Sequence, residues 1–134
     1  MKVLFDTNVL LAAFLTDGIC AKLLTRARKR RFDLFLCPRI LNEFKRIISK
    51  KFKAGREETA AAVALLHEAV QTMVKPDTAV HDVCLDPDDD HVLACARAAG
   101  VHYLVTGDAD LLVLGEFEGT RIVSPRDFEA MMEG

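Results

Sequence analysis

The sequence predicts an α/β layered fold with a mostly parallel sheet, and three observations carry that expectation. Short apolar runs of strand length alternate along the chain with segments whose apolar residues recur at helical spacing. The first run, Val3-Leu4-Phe5, reads as a largely buried strand and ends in an acid, Asp6. A later run ends just before another acid, Asp108, and open parallel sheets gather their ligands at the carboxyl ends of strands.

Lys2 to Phe5 is the first predicted strand. Thr7 or Asn8 can cap the helix begun by Val9 to Leu15, which Asp17-Gly18 breaks. A second helix is expected from Ile19 to Arg31, with Leu23, Leu24 and Ala27 as its apolar face and basic last turns. Leu34 to Cys37 is a short strand. Pro38 stands where a helix starts, and Ile40, Leu41, Phe44, Ile47 and Ile48 form its stripe, with Glu43 beside it. Ala54-Gly55-Arg56 ends that helix, and Glu57-Glu58-Thr59 opens a long Ala-rich one to Met73, stopped by Lys75-Pro76-Asp77. Val80 to Leu85 reads as a short extended piece. Asp86-Pro87-Asp88-Asp89 reads as a turn, with Asp88 or Asp89 near the cap of a helix from Asp90 to Ala99 that ends at Gly100, a C′ glycine. Val101 to Val105 is a strand and Thr106-Gly107-Asp108 a turn. Asp108 to Leu114 is a short helix, Arg121 to Val123 a brief last strand, and Arg126 to Met132 a closing helix.

A length of 134 residues suits one domain, residues 1–134, with no linker, repeat or low-complexity tract. Hydrophobic residues make up 51% and charged residues 28%, the balance of a globular chain rather than a disordered one. The longest apolar stretches, such as Val9 to Leu15, fall well short of the ~20 residues needed to span a bilayer. Asp6 stands where a signal region would need apolar residues, so a cytoplasmic location is expected and no membrane partner. Cys20, Cys37, Cys84 and Cys95 form no metal-ligand spacing and are expected as buried free thiols. Charge is divided unevenly: residues 1–56 carry fourteen Lys and Arg against four acids, and residues 57–134 carry four against sixteen. The dense basic clusters point to phosphate contact, with Arg26, Arg28, Lys29, Arg30, Arg31, Lys45 and Arg46 as the candidate residues.

The acids stand at four stations: Asp6, Glu43, the cluster from Asp86 to Asp90, and Asp108 with Asp110. Clustered carboxylates cannot all ionise side by side without a counter-charge. A hard cation such as Mg²⁺ or Mn²⁺ supplies it through oxygen ligands, and can activate water and stabilise charge developing on a phosphate. With the basic clusters, this gives a concrete reaction, hydrolysis of a nucleic-acid phosphodiester. Ordinary roles compete at each position. Asp6 can cap a helix, Glu43 can face solvent, and Asp90 and Asp110 can be first-turn acids favoured by the helix dipole. Of the four histidines, His91 alone lies beside the acids.

Val3-Leu4-Phe5-Asp6-Thr7-Asn8-Val9-Leu10, Leu41-Asn42-Glu43, Asp86-Pro87-Asp88-Asp89-Asp90 before Val92-Leu93-Ala94, and Tyr103-Leu104-Val105-Thr106-Gly107-Asp108-Ala109-Asp110-Leu111 together resemble the PIN-domain family, and within it VapC-type toxins of toxin–antitoxin pairs. The resemblance spans essentially the whole chain and rests on the four segments in order. It implies a three-layer α/β/α sandwich and a Mg²⁺- or Mn²⁺-dependent ribonuclease acting on RNA. Carried over by position, Asp6, Glu43, Asp90 and Asp108 form the acidic quartet, with Asp110 a rival of Asp108 and with Asp88 and Asp89 rivals of Asp90. Asn8 and Thr106 are then polar supports. The resemblance also implies a protein antitoxin as partner and allows a homodimer.

Three other readings compete. A haloacid-dehalogenase-like phosphatase needs a second Asp two residues after the first, and position 8 is Asn. A signalling receiver domain needs an acceptor Asp at the end of a middle strand and a Lys after a late one, and the chain supplies neither. A PIN-like module that binds RNA or protein without cutting is the third, and the presence of all four acids speaks against it.

Overall fold

Val3, Leu4 and Phe5 are fully buried. The strand they form, β1 (Lys2–Phe5), lies inside the sheet with a parallel neighbour on each side. A strand covered on both faces takes a continuous apolar run rather than an alternating one. The computed structural model describes residues 1–81, 83–84 and 87–133, with 87 and 88 as backbone only.

After β1 come α1 (Thr7–Leu15), α2 (Ile19–Arg28), β2 (Asp33–Leu36), α3 (Pro38–Lys50), α4 (Arg56–Ala69), β3 (Val70–Met73), α5 (Pro87–Ala99), β4 (Tyr103–Val105), α6 (Ala109–Leu112), β5 (Glu116–Phe117), β6 (Thr120–Val123) and α7 (Pro125–Glu133). The sheet runs β3-β2-β1-β4-β6-β5, all parallel except β5. The predicted α/β architecture is therefore present. The path leaves β1 outward through β2 and β3, then crosses back through α5 to β4. Right-handed crossovers place α1 to α4 on one face and α5 and α6 on the other. Within the first group α1 packs on α2 and α3, and α2 packs on α4 and α7. Between β1 and β4 the winding reverses, and in such sheets that reversal opens a crevice at the carboxyl edge.

The chain departs from the sequence expectation at several points. The Ala-rich helix stops at Ala69, and Val70–Met73 pairs with β2 as the outer strand β3. Gln71, Thr72 and Met73 are exposed, so this edge strand has no apolar run to announce it. The short β5 was likewise not predicted. It folds back on β6 through Glu118 and Gly119, both at positive φ (45° and 89°), as a tight hairpin requires. Helix α2 ends at Arg28, and Arg30 follows at φ 58°. The predicted extended piece from Val80 to Leu85 contains no strand among its described residues, and Asp86 and the side chain of Asp88 lie outside them. Among the described residues no single helix is long and apolar enough to cross a membrane. The α1–α2 pair passes only as a broken span bent by 98°.

Two cysteines also depart from expectation. Cys37 and Cys95 are joined in a disulfide, while Cys20 and Cys84 are free. Cys37 follows β2 and caps α3, and Cys95 lies within α5, so the bridge ties the two faces of the sheet together. It closes a loop of 58 residues, which on the chain-entropy account restricts the unfolded chain by about 4 kcal/mol. Reductant should therefore lower the unfolding free energy by up to about 4 kcal/mol. The Cys37→Ala/Cys95→Ala variant should be indifferent to reductant. Urea melts with and without dithiothreitol measure this. Four titratable thiols in the unfolded, unreduced protein would show that the bridge is not formed.

Candidate metal centre

Asp6 ends the buried β1 and starts α1 in one step. Its backbone is extended (φ −65°, ψ 158°), its N–H still donates to the Val105 carbonyl of β4 at 3.0 Å, and α1 begins at Thr7. Its carboxylate, 7% exposed, is held on both oxygens. Oδ1 accepts from the Thr7 amide at 2.7 Å, and Oδ2 accepts from the Thr106 hydroxyl at 2.8 Å. The cap that the sequence assigned to Thr7 or Asn8 is thus Asp6 itself, the ordinary role weighed for it beside the candidate one. Burial raises its carboxyl above the ordinary carboxylate range. The Thr106 and Thr7 donors oppose that shift, while the neighbouring acids Asp108 and Glu43 reinforce it.

Thr106 is the hinge of this arrangement. It is fully buried after β4, and its amide donates to the Val123 carbonyl. While its hydroxyl donates to Asp6, the same oxygen accepts from the Asp108 amide at 3.0 Å. Asp108 then caps α6, with Oδ1 accepting from the Asp110 amide at 2.9 Å. This chain of bonds brings the ends of β1 and β4 into one site. Thr106 thus holds the Asp6 carboxylate, whereas Asn8 is exposed on the first turn of α1.

Asp89 on α5 completes a group with Asp108 and Asp110. One carboxylate oxygen from each lies within 4.8 Å of the other two, and all three residues are half-buried. Sequence reasoning placed Asp90 in the quartet and demoted Asp89. In the structure Asp90 is 4% exposed, and its Oδ1 accepts from the Cys84 amide at 2.9 Å, tying the preceding segment to α5. Burial, and then the adjacent Asp90 carboxylate, push the Cys84 thiol up to about 12. Cys84 is therefore neutral near pH 7 in the metal-free protein. Glu43 reaches across from α3 to place Oε2 3.7 Å from Nε2 of His91.

The donor set that meets here is made of carboxylate oxygens on element ends. Hard oxygen donors of this kind fit a divalent cation. Asp89, Asp108 and Asp110 would hold the cation, with Asp6 alongside. The Thr7 hydroxyl is buried and has no hydrogen-bond partner among the described residues.

The basic run from Arg26 to Arg31, expected to contact RNA, lies elsewhere. Arg26 forms a two-pronged bond to Glu129 of α7, at 2.8 and 3.1 Å, and this guanidinium holds the Glu129 carboxyl below the ordinary range. Arg28 reaches Glu68 at 3.4 Å, and Arg30 donates to the carbonyls of Ala69 and Glu68 at 2.9 and 3.0 Å. Three of the five cations in this cluster thus fasten α2 and its end to α7 and α4. The cluster directly precedes Asp33, whose amide bonds the Met1 carbonyl, so it sits at the amino edge of the sheet, opposite the acids. Lys29 and Arg31 stay exposed there, and Lys45 and Arg46 are exposed on α3.

Residues 2–110 match the PIN domain family, a span that contains Asp6, Glu43, Asp89, Asp90, Asp108 and Asp110, and the chain belongs to that family. PIN domains are generally nucleases and typically use divalent metal ions. No curated protein matches the chain.

The buried Asp6 yields a test that needs no substrate. The folded protein holds the Asp6 proton more tightly than the unfolded chain does. This group therefore destabilises the metal-free protein as pH rises from the ordinary carboxylate range through its raised value. Asp6→Asn removes that contribution. The metal-free variant should melt at or above the parental temperature near neutral pH, and the difference should close as pH falls to about 4. Mg²⁺ or Mn²⁺ should raise the parental melting temperature at neutral pH and leave the variant's unchanged. A parental melting temperature that ignores both ions would contradict a cation beside Asp6.

Proposed function

We propose that this PIN domain is a divalent-metal-dependent endoribonuclease and the toxin component of a toxin–antitoxin pair. The observation that carries the nuclease reading is the meeting of Asp89, Asp108 and Asp110 beside a buried Asp6 whose charged neighbours are themselves acids. Such a group is costly without a cation, and its position at the carboxyl edge leaves it open to a long substrate. The toxin reading rests on the four-segment resemblance over essentially the whole chain, and it brings a protein antitoxin as partner.

A divalent cation in this site supplies Lewis-acid stabilisation of the phosphoryl oxygens and lowers the pKa of a bound water. The residues of the chain prepare the rest. Thr7 and Thr106 fix the Asp6 carboxylate so that it need not reorganise during reaction. Thr106 also fixes Asp108 by accepting from its amide. Glu43, beside His91, would orient the attacking water or accept its proton, a role supported by its electrostatic contact with Asp6. Asp90 belongs to the same site as a further ligand or as the anchor of the segment before α5.

Cleavage of single-stranded RNA should require Mg²⁺ or Mn²⁺ and stop with chelator. Asp6→Asn, Asp89→Asn, Asp90→Asn and Asp108→Asn should each slow it, the cation ligands by at least on the order of a hundredfold. Titrating Mn²⁺ separates the roles, because loss of a ligand raises the Mn²⁺ requirement and loss of a support does not. Expression in a bacterial host should arrest growth, and Asp108→Asn should relieve the arrest. An Asp108→Asn protein that cleaves at the parental rate would remove the site assignment.

A further inference from the structure

A cavity of about 490 Å³ opens beside the acids, between the start of α3, the segment after β3, and α5. Asp90 and His91 form its wall towards the metal centre, and Arg39, Lys75 and His81 line it elsewhere. Its remaining lining includes Pro38, Pro76 and Val80, so polar and apolar surfaces face each other across a space within the range of small-ligand sites.

The topology explains why cations meet here. Arg39 follows the end of β2, and Lys75 follows the end of β3. Because β1, β2 and β3 are parallel, both residues leave the sheet at the edge that carries Asp6. Among the described residues neither Arg39 nor Lys75 enters an ion pair, in contrast to Arg26 and Arg28 at the opposite edge. Asp77, the other acid of the lining, accepts from the Thr78 hydroxyl at 3.2 Å within its own loop. Helix α3 adds to the positive field. Its cap residue Cys37 is committed to the disulfide and makes no side-chain capping bond, so the first turn carries no local acceptor. The rim is built rather than slack: Arg97 of α5 donates to the carbonyls of Thr78 and Ala79 at 3.0 and 3.2 Å.

We propose that this cavity is the subsite for one nucleotide of single-stranded RNA flanking the cleaved phosphate. Arg39 and Lys75 take its phosphate, and Pro38, Pro76 and Val80 cover its base and ribose. The assignment of the flanking position rests on the nuclease reading above. The subsite carries little sequence preference, because phosphate contacts position the strand and apolar walls accept any base.

Binding of a labelled single-stranded RNA oligomer, measured in chelator by fluorescence anisotropy across a salt series, tests the cavity without needing turnover. Arg39→Ala/Lys75→Ala should weaken binding by on the order of tenfold or more, as expected when charged hydrogen-bond donors to phosphate are lost. The log–log salt slope should become shallower by about 1.4, the single-strand value for two lost contacts. Arg39→Lys/Lys75→Arg should restore most of both. Adenosine monophosphate should compete with the oligomer more strongly than inorganic phosphate does. In cleavage assays with metal the Ala variant should raise KM and leave kcat near the parental value. Both substituted residues are exposed, and a parental melting temperature would confirm folding of the variant. Unchanged affinity and salt slope in the Ala or Arg39→Glu/Lys75→Glu variants would overturn the subsite, even if Asp108→Asn abolishes cleavage. Conversely, failure of every protein to cleave would remove the nuclease reading, while the binding series still decides the cavity.

Discussion

The bond from the Thr106 hydroxyl to Asp6 is the interaction on which the rest of the site depends. Asp6 and Thr106 are a hundred residues apart in sequence, yet they end adjacent parallel strands. The hydroxyl donates to one acid and accepts from the amide of the next, so a single buried oxygen sets the positions of Asp6 and Asp108 together. A serine could offer the same hydrogen bonds but not the β-branched stiffness that fixes the hydroxyl at a strand end. The arrangement is possible because β1 and β4 meet where the winding of the sheet reverses, and no crossover helix covers that seam at its carboxyl edge.

Holding several carboxylates in so small a space works against folding, and the protein offsets it unevenly. Asp6 has donors in Thr7 and Thr106, and the Cys84 amide donates to Asp90. Asp108 is bound into its own helix cap. Basic side chains near the sequence position of Asp6 do not come to its aid. Arg26, Arg28 and Arg30, at the end of α2 and just after it, are spent on Glu129, Glu68 and two carbonyls at the far edge of the sheet. The charge division visible along the chain is therefore partly a matter of internal fastening. Among the described residues Arg39 and Lys75 line the cavity at the acidic edge, because they follow parallel strands.

This separates what the sequence makes legible from what it conceals. β1, β2 and β4 could be read because strands buried on both faces are continuous apolar runs. β3 and β5 could not, since an exposed edge strand such as Val70–Met73 needs no apolar pattern and its ladder partner is remote. Asp6 and Asp108 were legible because an acid at the end of a buried strand is unusual. The choice between Asp89 and Asp90 was not. Adjacent helical residues point about 100° apart, and which one faces the site depends on how α5 is rotated against the sheet. The basic run was visible as charge, but the partner of Arg26 lies 103 residues away, and nothing local distinguishes a fastening arginine from one awaiting phosphate. The Cys37–Cys95 pairing was hidden for the same reason.

That disulfide also bears on how the site is assembled. Glu43 belongs to α3 and Asp89, Asp90 and His91 to α5, helices that the crossover rule places on opposite faces of the sheet. They can meet only by leaning over its carboxyl edge, where no strand lies between them. Across that edge Glu43 and His91 stand 3.7 Å apart. Cys37 is the last residue before α3, and Cys95 lies in the middle of α5. The bridge therefore fixes the origin of one helix against the body of the other, close to where their acidic residues must converge. It takes up the residue that would otherwise cap α3, and so leaves the first turn of that helix facing the cavity beside Arg39 without a local acceptor. One covalent link thus serves both the spacing of the acids and the positive field next to them.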